Sequence, residues 1–215
     1  LAAEFLARGW KMKDIHRLIV TSATYRQASN VGNDRAQQID ADNRLLWRAN
    51  TRRLEGESIR DAMLAVSGAL NRKLGGPSYR DVHVKLGTNH EFTDPTGEFS
   101  NDVNRRTIYR LWARSGNNPM LESLDCPDPS LMVPQRSQTI TPVQSLSLLN
   151  GSFVENCSQR LAQQANKDAG DAPEQQILYV YRMTFGRSPT AQELNLAKEF
   201  AARRGLEQLC LVLLN

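Results

Sequence analysis

The chain has 215 residues and a mass of 24.2 kDa, enough for one large domain or two small ones with a substantial core. A hydrophobic fraction of 40%, 23% charged residues and a mean hydropathy of −0.50 exclude a disordered or fibrous chain. The balance of 27 Lys plus Arg against 23 Asp plus Glu gives +4 and a pI near 9.1, and 21 of the 27 cations are arginine. The acids are interspersed with these arginines instead of leaving a basic stripe, which argues against nucleic-acid binding and for arginine–carboxylate networks.

The opening LAAEFLARGW reads as the middle of a helix and the closing LEQLCLVLLN stops inside another, so the chain reads as a piece of a longer protein. No signal-peptide pattern opens it, and no apolar run approaches the roughly 20 residues of a membrane span. Ile15, Leu18, Ile19 and Ser22 or Ala23 recur at helical spacing, with Trp10 placed to pack on the first turn. A polar stretch through VGNDRAQQIDADN reads as loop. The next helix carries Ile59, Ala62, Met63, Val66, Ala69 and Leu70 on its apolar face and Arg53, Glu57 and Asp61 on the other. Leu74-Gly75-Gly76-Pro77 is expected to end it.

Alternation at Val82, Val84 and Leu86, and again at Thr107, Tyr109 and Leu111, predicts two short antiparallel strands separated by a long polar loop. Thr141-Pro142 reads as an N-cap followed by proline at the first helical position. Helical faces then follow through Phe153–Ala165 and Ile177–Phe185, and Thr190-x-x-Glu193 opens another helix with a capping box. The expected fold is therefore mainly α, a single domain over 1–215 with an N-terminal helical part (1–77), a β/irregular insertion (78–138) and a C-terminal helical part (139–215). Its small antiparallel sheet is expected around residues 80–115. Apolar residues near the two ends, Leu1, Phe5, Leu209, Val212 and Leu213, are expected either to pack together or to drive association.

Cys126, Cys157 and Cys210 are far apart and form no C-x-x-C pair, which excludes a zinc knuckle, a thioredoxin-like motif and haem attachment. One disulfide with a free thiol and three buried thiols both remain open. No cofactor is expected in this chain.

Five stretches carry a family resemblance: GWKMKDIHRLIVTSATYRQAS (9–29), NRLLWRANTRRLEGESIRDAMLAVSGALN (43–71), RRTIYRLWARSGNNPMLESLDCPDPS (105–130), QRSQTITPVQSLSLLN (135–150) and YRMTFGRSPTAQEL (181–194). Together they resemble the planctomycete PSD-one domain, a domain of unknown function in large bacterial proteins. The family often places serine or aspartate after the Gly-Trp as a helix cap. Lys11 stands there in this chain, so a weaker helix start is expected. The resemblance implies an exported, periplasmic or cell-envelope parent protein with a further N-terminal part, in many members a cytochrome c module with haem c, and a link to polysaccharide turnover. It supplies no catalytic residues.

Two groups of residues invite a functional reading. His83, His90, Glu91 and Asp94 lie within a dozen residues and offer imidazoles and carboxylates to a divalent metal, or they are simply solvated loop residues. Arg44, Arg48 and Arg52 share a helical face if the helix extends back to them, and with Trp47 and Trp112 they suit an anionic glycan gripped by guanidiniums and aromatic rings. The competing account is a structural network in which Arg53 pairs with Glu57 while Arg106 or Arg136 reach the remaining acids. The leading expectation is a non-catalytic interaction or scaffold module. The alternatives are a metal-assisted hydrolase acting on glycans and a docking domain for a cytochrome c module.

Overall fold

A computed structural model describes residues 1–85, 91–112, 116, 118–128 and 131–215, without the side chains of Lys85 and of residues 91–95. The chain falls into two compact units, Leu1–Arg53 and Leu54–Asn215.

The first unit carries α1 (Ala2–Ala7), α2 (Met12–Thr21) and α3 (Asp34–Ile39), none of which buries a residue fully. Lys11 stands at the N-cap of α2 and supplies no side-chain cap, as the sequence leads one to expect. Trp10 packs its ring edge-on against Phe5 of α1 at 5.1 Å. The fully buried residue of this unit is Asn43, which organises the segment that follows. Its side-chain amide donates to the Arg48 carbonyl at 2.7 Å and to Asn50 Oδ1 at 2.8 Å, and its Oδ1 accepts from the Arg48 N–H. Asp40 accepts from the backbone N–H groups of Arg44 and Leu45. These local side-chain bonds displace the helical ladder, and Asn43 and Leu46 adopt left-handed φ values of 55° and 56°. The helix therefore does not extend back through Arg44, Arg48 and Arg52, and these three share no helical face.

The second unit begins with α4 (Gly56–Val66), which buries Arg60, Met63 and Leu64. It ends about two turns before the Gly-Gly-Pro. Gly68 takes φ +65°, the N–H groups of Ala69 and Leu70 both return to the Leu64 carbonyl, and a Cβ on Gly68 would lie 1.9 Å from the Gln164 amide. Apolar spacing continues past this point because Ala69 and Leu70 still face the core, but the backbone is no longer helical.

Strand β1 (Val82–Lys85) pairs antiparallel with β2 (Glu91–Pro95), pairing Val84 with Phe92 and carrying a register shift between Val82 and Val84. An antiparallel β element does lie in the insertion, but its second strand is not 107–111. That segment forms a 3-10 turn at Thr107–Tyr109, flanked by single parallel bridges from Asn71 to Arg105 and from Tyr79 to Arg110. Buried Thr107 and Arg110 are held there by Asp61 and Asp81 and not by a ladder.

Then come α5 (Pro119–Ser123), α6 (Pro142–Leu149), α7 (Ser152–Ala169), α8 (Pro173–Phe185), α9 (Ala191–Arg204) and α10 (Leu206–Leu214). Thr141 and Gln144 close a capping box at α6, and Thr190 and Glu193 do the same at α9. Helix α7 is the central member, burying Val154, Cys157, Leu161 and Ala165 at i, i+3, i+7 and i+11. One end of that stripe meets Met63, Leu64, Leu124 and Leu148, and the other meets Val180 and Cys210. Helix α10 lies against α7, α8 and α9, so Leu209 is buried in this unit instead of forming an exposed end. All three cysteines are free thiols. Among the described residues no helix is long and apolar enough to cross a membrane.

Candidate functional site

Helix α4 sets two consecutive charges about a third of a turn apart, and they do different work. Arg60, 4% exposed, donates to the carbonyls of Val103 and Arg105 at 2.9 Å each and to Thr107 Oγ1 at 3.3 Å. The Tyr79 and Phe153 rings lie 5.3 and 5.2 Å from its guanidinium. Asp61 accepts from both the N–H and the hydroxyl of Thr107 at 2.7 Å. Together they fasten segment 103–107 along α4. Burial raises the Tyr79 phenol to about 12, with Arg60 opposing the shift.

Two more arginines pin the same segment. Arg105 donates to the carbonyls of Lys73, Gly75 and Pro77 and lies over the Tyr109 ring. Arg110 Nε meets both Asp81 oxygens at 2.9 Å, its Nη2 reaches the Gly116 carbonyl, and its guanidinium covers the Trp112 ring at 4.8 Å. The outcome is a cleft of about 440 Å³ on the outer side of this assembly. It is lined by Trp112, Ile108 and Pro127 together with Glu57, Asp61, Arg106 and Arg136.

Each charge in the cleft has a partner of opposite sign. Arg136 Nη1 lies 2.9 Å from both Glu57 oxygens and 3.4 Å from Glu55. Arg106 Nε lies 3.5 Å from Asp61 Oδ2. Burial opposes the charge on Arg136, but the Glu57 carboxylate outweighs it and holds the guanidinium above its ordinary value. Burial and the Glu57 carboxylate push the Cys126 thiol up to about 12, so it is a poor nucleophile. Asp125 holds the neighbouring loop at φ 61°, accepting from the N–H and hydroxyl of Thr139 and from the Gln144 amide.

Of the residues singled out from sequence, Trp112 lies in this cleft. Arg44, Arg48, Arg52 and Trp47 belong to the first unit. There, Trp47 donates from Nε1 to the Asp40 carbonyl at 2.9 Å and Arg48 lies over its ring at 5.2 Å, while Arg44 is exposed. His83 is exposed on β1. His90 lies outside the described residues, as do the side chains of Glu91 and Asp94, although the backbone of the last two runs in β2. No cluster of three or more metal-binding side chains occurs among the described residues.

The arginine–carboxylate network exists: Arg106 reaches Asp61 and Arg136 reaches Glu55, as expected, and Arg136 also pairs with Glu57. Sequence reading missed the buried roles of Arg60, Arg105 and Arg110. A usable signal was present in Arg105-Arg106 and Arg110 standing within a few residues of Tyr109 and Trp112, an arginine density that an exposed strand does not require.

Every residue lining the cleft comes from stretches 43–71, 105–130 and 135–150, those that carry most of the family resemblance. A family model described as PSD1, protein of unknown function (DUF1553), matches residues 1–201. The chain belongs to the PSD1 family. No curated protein and no solved structure matches this PSD1 chain.

Proposed function

We propose that this PSD1 chain is a non-catalytic interaction module of an exported multidomain bacterial protein linked to polysaccharide turnover, and that the Trp112 cleft is where it meets its ligand. The observation that carries this reading is the cleft itself: an aromatic ring and two arginine–carboxylate pairs line one space of about 440 Å³. That volume is in the usual range of small-molecule sites, roughly 300–1,000 Å³. Thr107, whose hydroxyl donates to Asp61, is only 1% exposed, and the Cys126 thiol beside the cleft is held protonated, so neither is a ready nucleophile.

The test is binding measured alongside turnover. Perturbation of NMR or fluorescence signals by oligosaccharides, lost in Trp112→Ala and unaccompanied by new reducing ends, is the expected result. Release of reducing ends, above all if it depends on added zinc, calcium or manganese, would place the metal-assisted hydrolase first.

A second reading, docking of a cytochrome c module, draws on the outer side of α6 and the turn before it. Ile140, Val143, Leu146 and Leu149 recur every third residue and are 92%, 67%, 56% and 40% exposed. Co-elution with the haem-bearing module, abolished by Val143→Asp with Leu146→Asp, is the outcome that reading requires.

A further inference from the structure

Helix α6 carries apolar residues on its outer side as well as its inner one. Gln144 and Leu148, one turn apart, are buried in the unit, Leu148 in the cluster that holds Met63, Leu64 and Val154. Val143, Leu146 and Leu149 are exposed and recur at i, i+3 and i+6, flanked on the helical wheel by the small residues Ser145 and Ser147. A surface helix ordinarily keeps its outer face polar, whereas apolar residues all round belong to a helix covered on both sides. The surrounding sequence is uncharged as well. From Ser137 through Val154 no residue is Asp, Glu, Lys or Arg, where a chain with 23% charged residues should place about four. Depletion of charge around exposed apolar residues is the compositional mark of an interface core.

The face is held ready. Pro142 opens the helix, Thr141 and Gln144 cap it, and the Gln144 amide donates to Asp125 and Thr139, so little ordering is left to do on association. Charge then separates the candidate partners. A bilayer surface calls for Lys or Arg beside the apolar stripe, and 137–154 has none. A partner that recognises by charge finds nothing there to complement. A second copy of the same face brings apolar surface of equal extent and no like charge at the contact, although each chain is +4 overall. The exposures of Ile140, Val143, Leu146 and Leu149 amount to between two and three whole side chains per copy. A pair of such faces buries on the order of 900 Å², the low end of interface sizes, where association is weak and reversible.

We infer that the outer face of α6 joins two copies of this chain in a reversible dimer with two-fold symmetry, and so competes with the docking of any haem-bearing module there. With the axis at Leu146 the two helices run antiparallel, and Val143 of one copy meets Leu149 of the other. The dimer does not depend on the reading of the Trp112 cleft.

Sedimentation velocity of the chain from about 5 to about 500 µM tests this. The expected result is a monomer–dimer equilibrium with a Kd of roughly 10–100 µM that salt barely changes. Val143→Asp and Leu146→Asp should each weaken it at least tenfold, with circular dichroism and thermal midpoint unchanged, because both side chains are exposed in the single chain. Should aspartate disturb the helix, Val143→Ser with Leu146→Ser removes the apolar stripe without adding charge, and should likewise weaken the dimer at least tenfold. Leu196→Asp, at a 60% exposed position of α9, should leave the equilibrium as it is. A monomer at every concentration would overturn the inference and return the face to a partner of another kind. A dimer indifferent to the α6 variants, or one that dissolves as salt is raised, would also overturn it, since the contact would then lie elsewhere or be made by charges.

Discussion

Replacing Arg60 by methionine keeps an unbranched apolar stem, about two atoms shorter, and removes the donors. Two carbonyl oxygens, those of Val103 and Arg105, lose the guanidinium that satisfies them in a segment where both residues are buried. A buried polar group left without a partner costs about 1–3 kcal/mol. Loss of the cation over the Tyr79 and Phe153 rings adds roughly 0.5–1 kcal/mol apiece, partly offset by burying the methionine. The sum is a destabilisation of about 3–5 kcal/mol, the scale expected when a buried charged network loses one member. With a urea m-value of roughly 2 kcal/mol per molar, the unfolding midpoint should fall by about 2 M. Equilibrium urea denaturation followed by tryptophan fluorescence and far-UV circular dichroism measures this directly. A loss below about 1 kcal/mol would refute the reasoning, because it would mean that the two carbonyls find other donors and that Arg60 does not fasten segment 103–107 to α4.

Gly68→Ala should destabilise by about 1–2 kcal/mol from its left-handed backbone alone, with an extra part from the Gln164 side chain. Pairing it with Gln164→Ala should recover that extra part and no more in a denaturation series, as a double-mutant cycle would show. Glu193 is held down to about 2 by its hydrogen bonds to Arg187 and to the Thr190 backbone, against an ordinary value of 4.5. Because its folded value is depressed, its contribution to stability is present above pH 4.5 and lost as pH falls towards about 2. The thermal midpoints of the native protein and of Glu193→Gln should therefore converge across that window and separate above it. Burial pushes the Cys157 thiol up to about 11 and that of Cys210 up to about 12, and Cys126 is likewise raised to about 12. Thiol labelling near neutral pH should be slow for all three until denaturant is added, and prompt labelling of any one would contradict its placement.

What was legible in the sequence was local. The capping boxes at Thr141 and Thr190 announce their helices because cap and partner lie three residues apart. The stripe of α7 announces itself by period. The end of α4 was harder, since Ala69 and Leu70 continue the apolar spacing while the Gln164 side chain, nearly a hundred residues on, leaves no room for a Cβ at position 68. The 107–111 segment looked like a strand because an alternating residue pattern does not distinguish a ladder from a chain pinned through buried Thr107 and Arg110. Trp112 could be chosen as a candidate by residue type. The partners that make its surroundings could not, because Thr107 meets Asp61 across 46 residues and Arg136 meets Glu57 across 79. Arg44, Arg48 and Arg52 were grouped by helical arithmetic, which the Asn43 and Asp40 side chains cancel locally.

The division of labour on α4 bears on how this family can be dissected genetically. Arg60, Asp61 and Thr107 form one hydrogen-bonded unit, so alleles there will behave as nulls through loss of the folded protein, whatever the ligand. Ser58, Ile108 and Arg136 stand at the solvent margin of the same cleft. Substitutions at those three positions should yield ligand-blind alleles that accumulate to normal levels. A strain carrying such an allele would report what recognition contributes in the cell, separately from what the domain contributes by its presence.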